Sequence, residues 1–158
     1  MNFKTRKPNR LKNYDYSQNG VYFITVCVKN RNPILSYIPV GANCVRLSKI
    51  GKVVEEEINN ISKIYANVTV ENYVIMPNHI HLLVFIDGFS GRTQFAPTIS
   101  RIIKQFKGVI TKRLGKSIWQ KGFYDHIIRD EYDFQIRWQY IEDNPYRWCE
   151  DYMFNKNT

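Results

Sequence analysis

Cysteine is scarce and poorly spaced for structural work. Cys27, Cys44 and Cys149 are an odd number, far apart, with no Cys-x-x-Cys pair. That argues against a disulfide framework and a zinc ribbon, and leaves them as small buried hydrophobes of a reducing compartment. A signal peptide is also missing, because Met1 to Lys12 is basic and polar with no apolar run behind it, and no apolar stretch reaches transmembrane length. A cytoplasmic protein is the expectation. Acid is short as well: 14 Asp and Glu stand against 23 Lys and Arg, a formal charge of +9. The natural partner is therefore a polyanion, nucleic acid or an acidic membrane surface. Only three histidines occur, yet His79 and His81 stand two residues apart inside an apolar run.

What is present is enough for one folded domain of 158 residues with a real core. Residues 1–13 form a basic arm with Lys4, Arg6, Lys7, Arg10 and Lys12 and no acid. It suits a phosphate backbone or an ordinary solvated tail. Residues 14–158 make the single domain. Val21 to Val28 is β-branched and aromatic throughout and reads as a strand buried on both faces. Between Ser48 and Tyr65, Ile50, Val53, Val54, Ile58, Ile61 and Ile64 keep helical spacing, with Glu55, Glu56 and Glu57 expected on a solvated face. Val68 to Met76 alternates as a strand, and Pro77-Asn78 turns it into a second strand reaching Ile86. Side chains alternate faces along a strand, so His79 and His81 point one way and Ile80, Leu82 and Val84 the other.

Thr98 caps a helix that runs to Leu114 and stops at Gly115, with Ile99, Ile102, Ile103, Phe106 and Ile110 as its buried stripe. Between Gly88 and Tyr124 eight basic residues (Arg92, Arg101, Lys104, Lys107, Lys112, Arg113, Lys116, Lys121) meet no acid. Nucleic-acid contact is the expectation for that stretch, with Arg101, Lys104, Lys107, Lys112 and Arg113 on the helix as its candidates. Trp119 to Arg129 reads as a turn and a further strand, and Asp130 caps a last helix whose core face is Phe134, Trp138 and Ile141. Pro145 ends that helix, so Asn144 sits in its final turn. Tyr140 and Asn144, four residues apart, share a stripe expected to face away from the core. The element order suits an α+β fold, a ferredoxin-like antiparallel sheet (βαββαβ) with helices on one face.

Taken singly these residues are ordinary. A His-x-His in an apolar strand is compatible with satisfied core histidines, Tyr140 with a helical interface residue, and Asn144 with a plain helix end. Together they are specific. Met76-Pro77-Asn78-His79-Ile80-His81-Leu82-Leu83, then Trp119 to Arg129, then Tyr140-Ile141-Glu142-Asp143-Asn144-Pro145 resemble, in order, the three signatures of REP-associated tyrosine transposases. These are single-tyrosine HUH nucleases that act on single-stranded DNA. The resemblance implies that Tyr140, on the C-terminal helix, is the nucleophile and that His79, His81 and Asn144 hold a divalent metal, Mg²⁺ or Mn²⁺. It implies a hairpin-bearing single-stranded DNA partner, a 5′-phosphotyrosine intermediate, and a monomer or homodimer. In mobile-element relatives Gln often fills the place of Asn144, and either residue offers a carboxamide oxygen.

The chemistry agrees with that assignment. A phenol titrates near pH ~10 and attacks phosphorus well only if its oxyanion is stabilised. A metal with few protein ligands keeps positions open for phosphate oxygens. Tyr124 and Tyr132 are rival nucleophiles but lack an Asn four residues later. Asp125 and His126 face opposite ways on a strand, so a joint catalytic role is not expected of them and His126 is assigned a structural or DNA-contacting one. The alternative from another class is a non-catalytic ferredoxin-like module that holds single-stranded DNA or RNA by stacking. A water-activating metallohydrolase would need a carboxylate base that no motif supplies.

Overall fold

The computed structural model describes residues 19–39, 44–88 and 97–148. The arm at residues 1–13, with Arg6, Lys7 and Arg10, lies outside them, as does Arg92. The elements are β1 (Gly20–Cys27), β2 (Ser36–Tyr37), β3 (Arg46–Leu47), α1 (Lys49–Ile64), β4 (Val68–Ile75), β5 (His79–Ile86), α2 (Ile99–Leu114), β6 (Tyr124–Ile128) and α3 (Glu131–Asp143). The main sheet runs β4-β5-β1-β6 with every neighbouring pair antiparallel. This is the ferredoxin-like order expected from the pattern of strands and helices. β2 and β3 form a separate small hairpin.

The helix ends follow the expected chemistry. Ser48 and Thr98 cap α1 and α2 by accepting from the third residue on, and Gly115 stops α2 in the left-handed region at φ 68°. Asp130 caps α3 through the Asp133 N–H, but the Asp133 side chain does not complete a capping box. It reaches to β6 instead, as described below.

Two cores divide the sheet. Tyr22, Ile24 and Val26 of β1 and Ile80, Leu82, Val84 and Ile86 of β5 pack beneath α1 and α2 through Val54, Ile58, Ile61, Ile99, Ile102, Ile103 and Phe106. The other side chains of the same strands face α3, where Phe23, Val74, Met76, Leu83 and Ile141 make a smaller cluster. Both faces of the central strands are thus covered, as their unbroken apolar sequence requires. Arg113 of α2 reaches α1, with N–O distances of 2.7 Å to both Glu56 and Glu57. The expected solvated face of α1 is in this respect a clamp: Glu57 is buried, and the cation opposite offsets its desolvation.

Gly51 is where α1 comes closest to the preceding loop. A Cβ there would overlap the Leu35 carbonyl oxygen, a backbone atom that cannot swing aside. Gly51→Ala is therefore expected to cost about 1–3 kcal/mol through overpacking, roughly 3–10 °C in Tm. A thermal melt reads this directly, and an unchanged Tm would show that the loop yields freely.

Candidate active site beneath the last helix

The turn that delivers the histidines is tied down on three sides. Met76 N–H donates to His79 O, Leu35 N–H to Pro77 O, and Val28 N–H to Asn78 O, at 2.9–3.0 Å. Asn78 is buried, and its Nδ2 donates to the Arg31 carbonyl at 3.2 Å. That orients its amide, so Oδ1 faces His79 Nδ1 at 2.8 Å. Since a carbonyl oxygen only accepts, His79 carries its proton on Nδ1 and presents a lone pair at Nε2. Arg31 itself lies in a turn where it and Asn30 take φ near 55°, a conformation L residues adopt at a cost.

His79 Nε2 lies 3.1 Å from His81 Nε2, both rings being almost wholly buried. His81 Nδ1 meets Thr25 Oγ1 at 2.8 Å across the β1–β5 pair. A threonine hydroxyl can donate or accept, so it serves either tautomer of His81. With no ion between the rings, His81 donates to His79; with an ion present, both Nε2 lone pairs turn inward and His81 Nδ1–H donates to Thr25. Burial is the chief force keeping the pair neutral. It pushes His79 down to about 3, with the Arg31 charge adding to the effect. It takes His81 well below the usual imidazole range, aided by His79 and Arg137.

Helix α3 roofs this pair and crosses the sheet from edge to edge. Its first turn is fixed to β6, where His126 Nε2 meets Asp133 Oδ2 at 2.7 Å. Its last turn is fixed to β4, where Asn72 Nδ2 donates to Glu142 Oε1 at 2.9 Å. Between them Tyr140 lies edge-on to His81, ring centroids 5.2 Å apart, and to Phe23 at 5.8 Å. Phe23 in turn stacks on His81 at 5.1 Å. Just beyond the helix Trp148 tilts over His79 at 5.9 Å. Asn144 stands in sequence four residues after Tyr140 and four before Trp148; it is buried and its Oδ1 has no hydrogen-bond partner.

The structure therefore brings His79, His81 and Tyr140 together and buries Asn144 one helical turn further on. Of the expected outward stripe, Tyr140 remains partly exposed while its ring edge meets His81, and Asn144 is buried. The sheet face under α3 is polar at the histidines, so polar as well as apolar side chains of the helix turn toward it. The basic candidates are elsewhere. Arg101, Lys104 and Lys112 are exposed on α2, in the layer on the opposite side of the sheet. Lys107 Nζ donates to the carbonyls of Gln120 and Gly122, and Arg113 is paired with α1. Tyr124 and Tyr132 are exposed and have no recorded ring contact with the histidines.

Thr25, Asn78 and Arg137 belong to the site but carried no sequence signal of their own, apart from the place of Asn78 directly before His79.

A divalent ion fits the donors present. Two cis ligands of an octahedral ion at ~2.1 Å lie about 3 Å apart, which matches the Nε2 pair, and the orphaned Asn144 oxygen offers a third donor. Among the described residues no group of three or more His, Cys, Asp or Glu forms a ligand cluster. Among the described residues, the candidate donors are two imidazoles and one carboxamide, all neutral groups.

No family model matches the chain. A provisionally named REP-associated tyrosine transposase of Haemophilus influenzae is 29% identical over 153 residues, covering 85% of this chain and 76% of the relative. The REP-associated tyrosine transposase of Escherichia coli is 28% identical over 131 residues, covering 82% and 68%. A solved REP-associated tyrosine transposase bound to a REP hairpin superposes with a TM-score of 0.65 at 21% identity, over 88% of this chain and 74% of that one. No helix among the described residues is long and apolar enough to cross a membrane.

The depressed histidines give a pH dependence with a definite sign. The folded, metal-free protein holds both rings neutral, while the unfolded chain takes up protons below pH ~6.5. The unfolded state then binds more protons, so stability falls with pH from about 6.5 downward. Melts of metal-free protein at pH 7 and 5 should show this drop, and a His79→Gln/His81→Gln variant should flatten it. An equal drop in that variant would assign the acid sensitivity to other groups.

In its three ordered signatures, its ferredoxin-like fold and its similarity to these named relatives, the chain resembles the REP-associated tyrosine transposases.

Proposed function

We propose that the protein cuts and rejoins single-stranded DNA beside a hairpin, as a metal-dependent HUH endonuclease and strand transferase with Tyr140 as its nucleophile. The observation that carries this reading is the seating of Tyr140 directly against His81, one helical turn before the buried, unsatisfied Asn144. A chance surface tyrosine has no reason to roof a buried imidazole pair.

The chemistry follows from what these residues can do. Tyr140 Oη forms a bond to phosphorus, the P–O3′ bond breaks, and the phenolic proton is lost as the departing 3′-oxygen gains one. The DNA is left with a 5′-phosphotyrosine on one side and a free 3′-hydroxyl on the other, and attack by a 3′-hydroxyl reverses the step. His79, His81 and Asn144 would hold Mg²⁺ or Mn²⁺. Bound there, the ion supplies Lewis-acid polarisation of the phosphate and offsets charge on the attacking and leaving oxygens. The neutral ligand set suits an anionic substrate, since it leaves the ion's charge uncompensated. Asn78 and Thr25 keep the imidazole lone pairs aimed inward, and Phe23 and Trp148 keep water from the ring faces.

The partner in this reading is single-stranded DNA with a REP-like hairpin, which the solved transposase bound to a REP hairpin supports for the hairpin. The exposed Arg101, Lys104 and Lys112 of α2 would then meet duplex or flanking phosphates away from the cut. They add affinity rather than chemistry.

A pool of labelled single-stranded DNA hairpins with randomised flanks, incubated with protein and Mn²⁺, should yield a covalent adduct that Tyr140→Phe abolishes. His79→Ala should lose the adduct while hairpin affinity stays within about threefold, because phosphate contacts carry the binding. An undiminished adduct in Tyr140→Phe would move the nucleophile elsewhere. Hairpin binding with no adduct from the wild-type protein would favour the non-catalytic binding module.

A further inference from the structure

The charge balance around the histidines is unfinished. Arg31 lies close enough to His79, and Arg137 to His81, for each to disfavour protonation of its neighbour. Arg137 is also drawn inward, with Cζ 5.3 Å from the centre of the Phe23 ring. That ring stacks on His81 and touches Tyr140. On α3, Arg137 precedes Tyr140 by three residues, so the two lie on neighbouring positions of one helical face.

The guanidinium is only partly used. Nε donates to Asp133 Oδ1 at a long 3.4 Å, and the other oxygen of Asp133 is taken by His126. No hydrogen bond from either terminal nitrogen of Arg137 is made among the described residues. One long i,i+4 pair is too weak to explain a cation tucked against an aromatic ring beside two buried imidazoles. A cation there, facing a site whose donors themselves suit a cation, is repulsive unless an anion lies among them.

We infer that Arg137 is a further catalytic residue: its two terminal NH2 groups hold a non-bridging oxygen of the phosphodiester that Tyr140 attacks. The inference rests on the reaction proposed above. Asp133 is the positioning residue. Held by His126 from β6, it engages Nε and leaves the two terminal nitrogens of the guanidinium for the phosphate. Phe23 supports the flat face of the guanidinium. The pair of parallel donors suits the tetrahedral phosphate, whose charge shifts onto its equatorial oxygens as the bonds to phosphorus exchange. The third histidine of the chain thereby gains a role, as the anchor of the arginine support rather than as a ligand.

The test uses the hairpin DNA that the wild-type protein captures from the pool, made once with a natural phosphate and once with a neutral methylphosphonate at the cut linkage. With the natural linkage, Arg137→Ala should slow adduct formation about 100-fold, the scale of one lost transition-state donor, while hairpin affinity changes less than about threefold. Arg137→Lys should recover part of that loss, since it restores charge without the fork. With the methylphosphonate, Arg137→Ala should be no more than a few-fold slower than wild type, because the charged oxygen it would hold is already gone.

An equal loss on both linkages would mean that Arg137 acts by packing on Phe23, and wild-type rates in Arg137→Ala would remove it from the chemistry. Either result overturns the inference. Circular dichroism and Tm of Arg137→Ala and Arg137→Gln exclude misfolding as the cause of a loss. If Tyr140→Phe retains the adduct, the proposed reaction itself fails; if Tyr140→Phe abolishes it and Arg137→Ala does not slow it, only this inference fails.

Discussion

The contact between two buried, neutral imidazoles governs how this chain is arranged. Placing His79 and His81 on the inner face of a central strand leaves polar nitrogens with no water, and each must find a partner. Asn78 supplies one, Thr25 another, and the rings supply each other. The sheet face at that point cannot be covered by a purely apolar helix. α3 accordingly meets it with Tyr140 and Asn144 as well as Ile141, and is pinned at both ends by polar contacts to the two edge strands.

The same arrangement separates two tasks. One side of the sheet is a conventional apolar layer, with α1 and α2 clamped by Arg113 and the glutamates of α1, and its outer surface carries the exposed basic residues of α2. The other side holds little apolar area and most of the unusual polar chemistry. The first layer provides folding stability and a positive surface, while the second gathers buried neutral donors near two arginines.

Much of this was legible in the sequence because local rules agree with the fold. The alternation at Asn78 to Ile86, the caps at Ser48, Thr98 and Asp130, and the Gly115 stop each follow from one residue's chemistry, and together they fix the βαββαβ order. The facing of α3 was legible only in part. Phe134, Trp138 and Ile141 meet the sheet as their spacing implies, but the burial of Asn144 and the contact of Tyr140 with His81 depend on the polar character of a surface far away in the chain. Arg113 illustrates a second limit. A charge count assigns it to a basic stretch, but only the tertiary pairing reveals that Glu56 and Glu57 have claimed it. Arg137 went unnoticed for the converse reason: in sequence it is one cation among many, and only its place against Phe23 sets it apart.

The central claim is that one divalent ion is shared by two imidazoles under α3. Pulsed electron paramagnetic resonance of Mn²⁺-loaded protein tests it directly, because each directly bound nitrogen couples to the electron spin. The account predicts coupling to two imidazole nitrogens, reduced to one by His81→Gln. Bound Mn²⁺ with no imidazole coupling, or with coupling that survives loss of both His79 and His81, would contradict it.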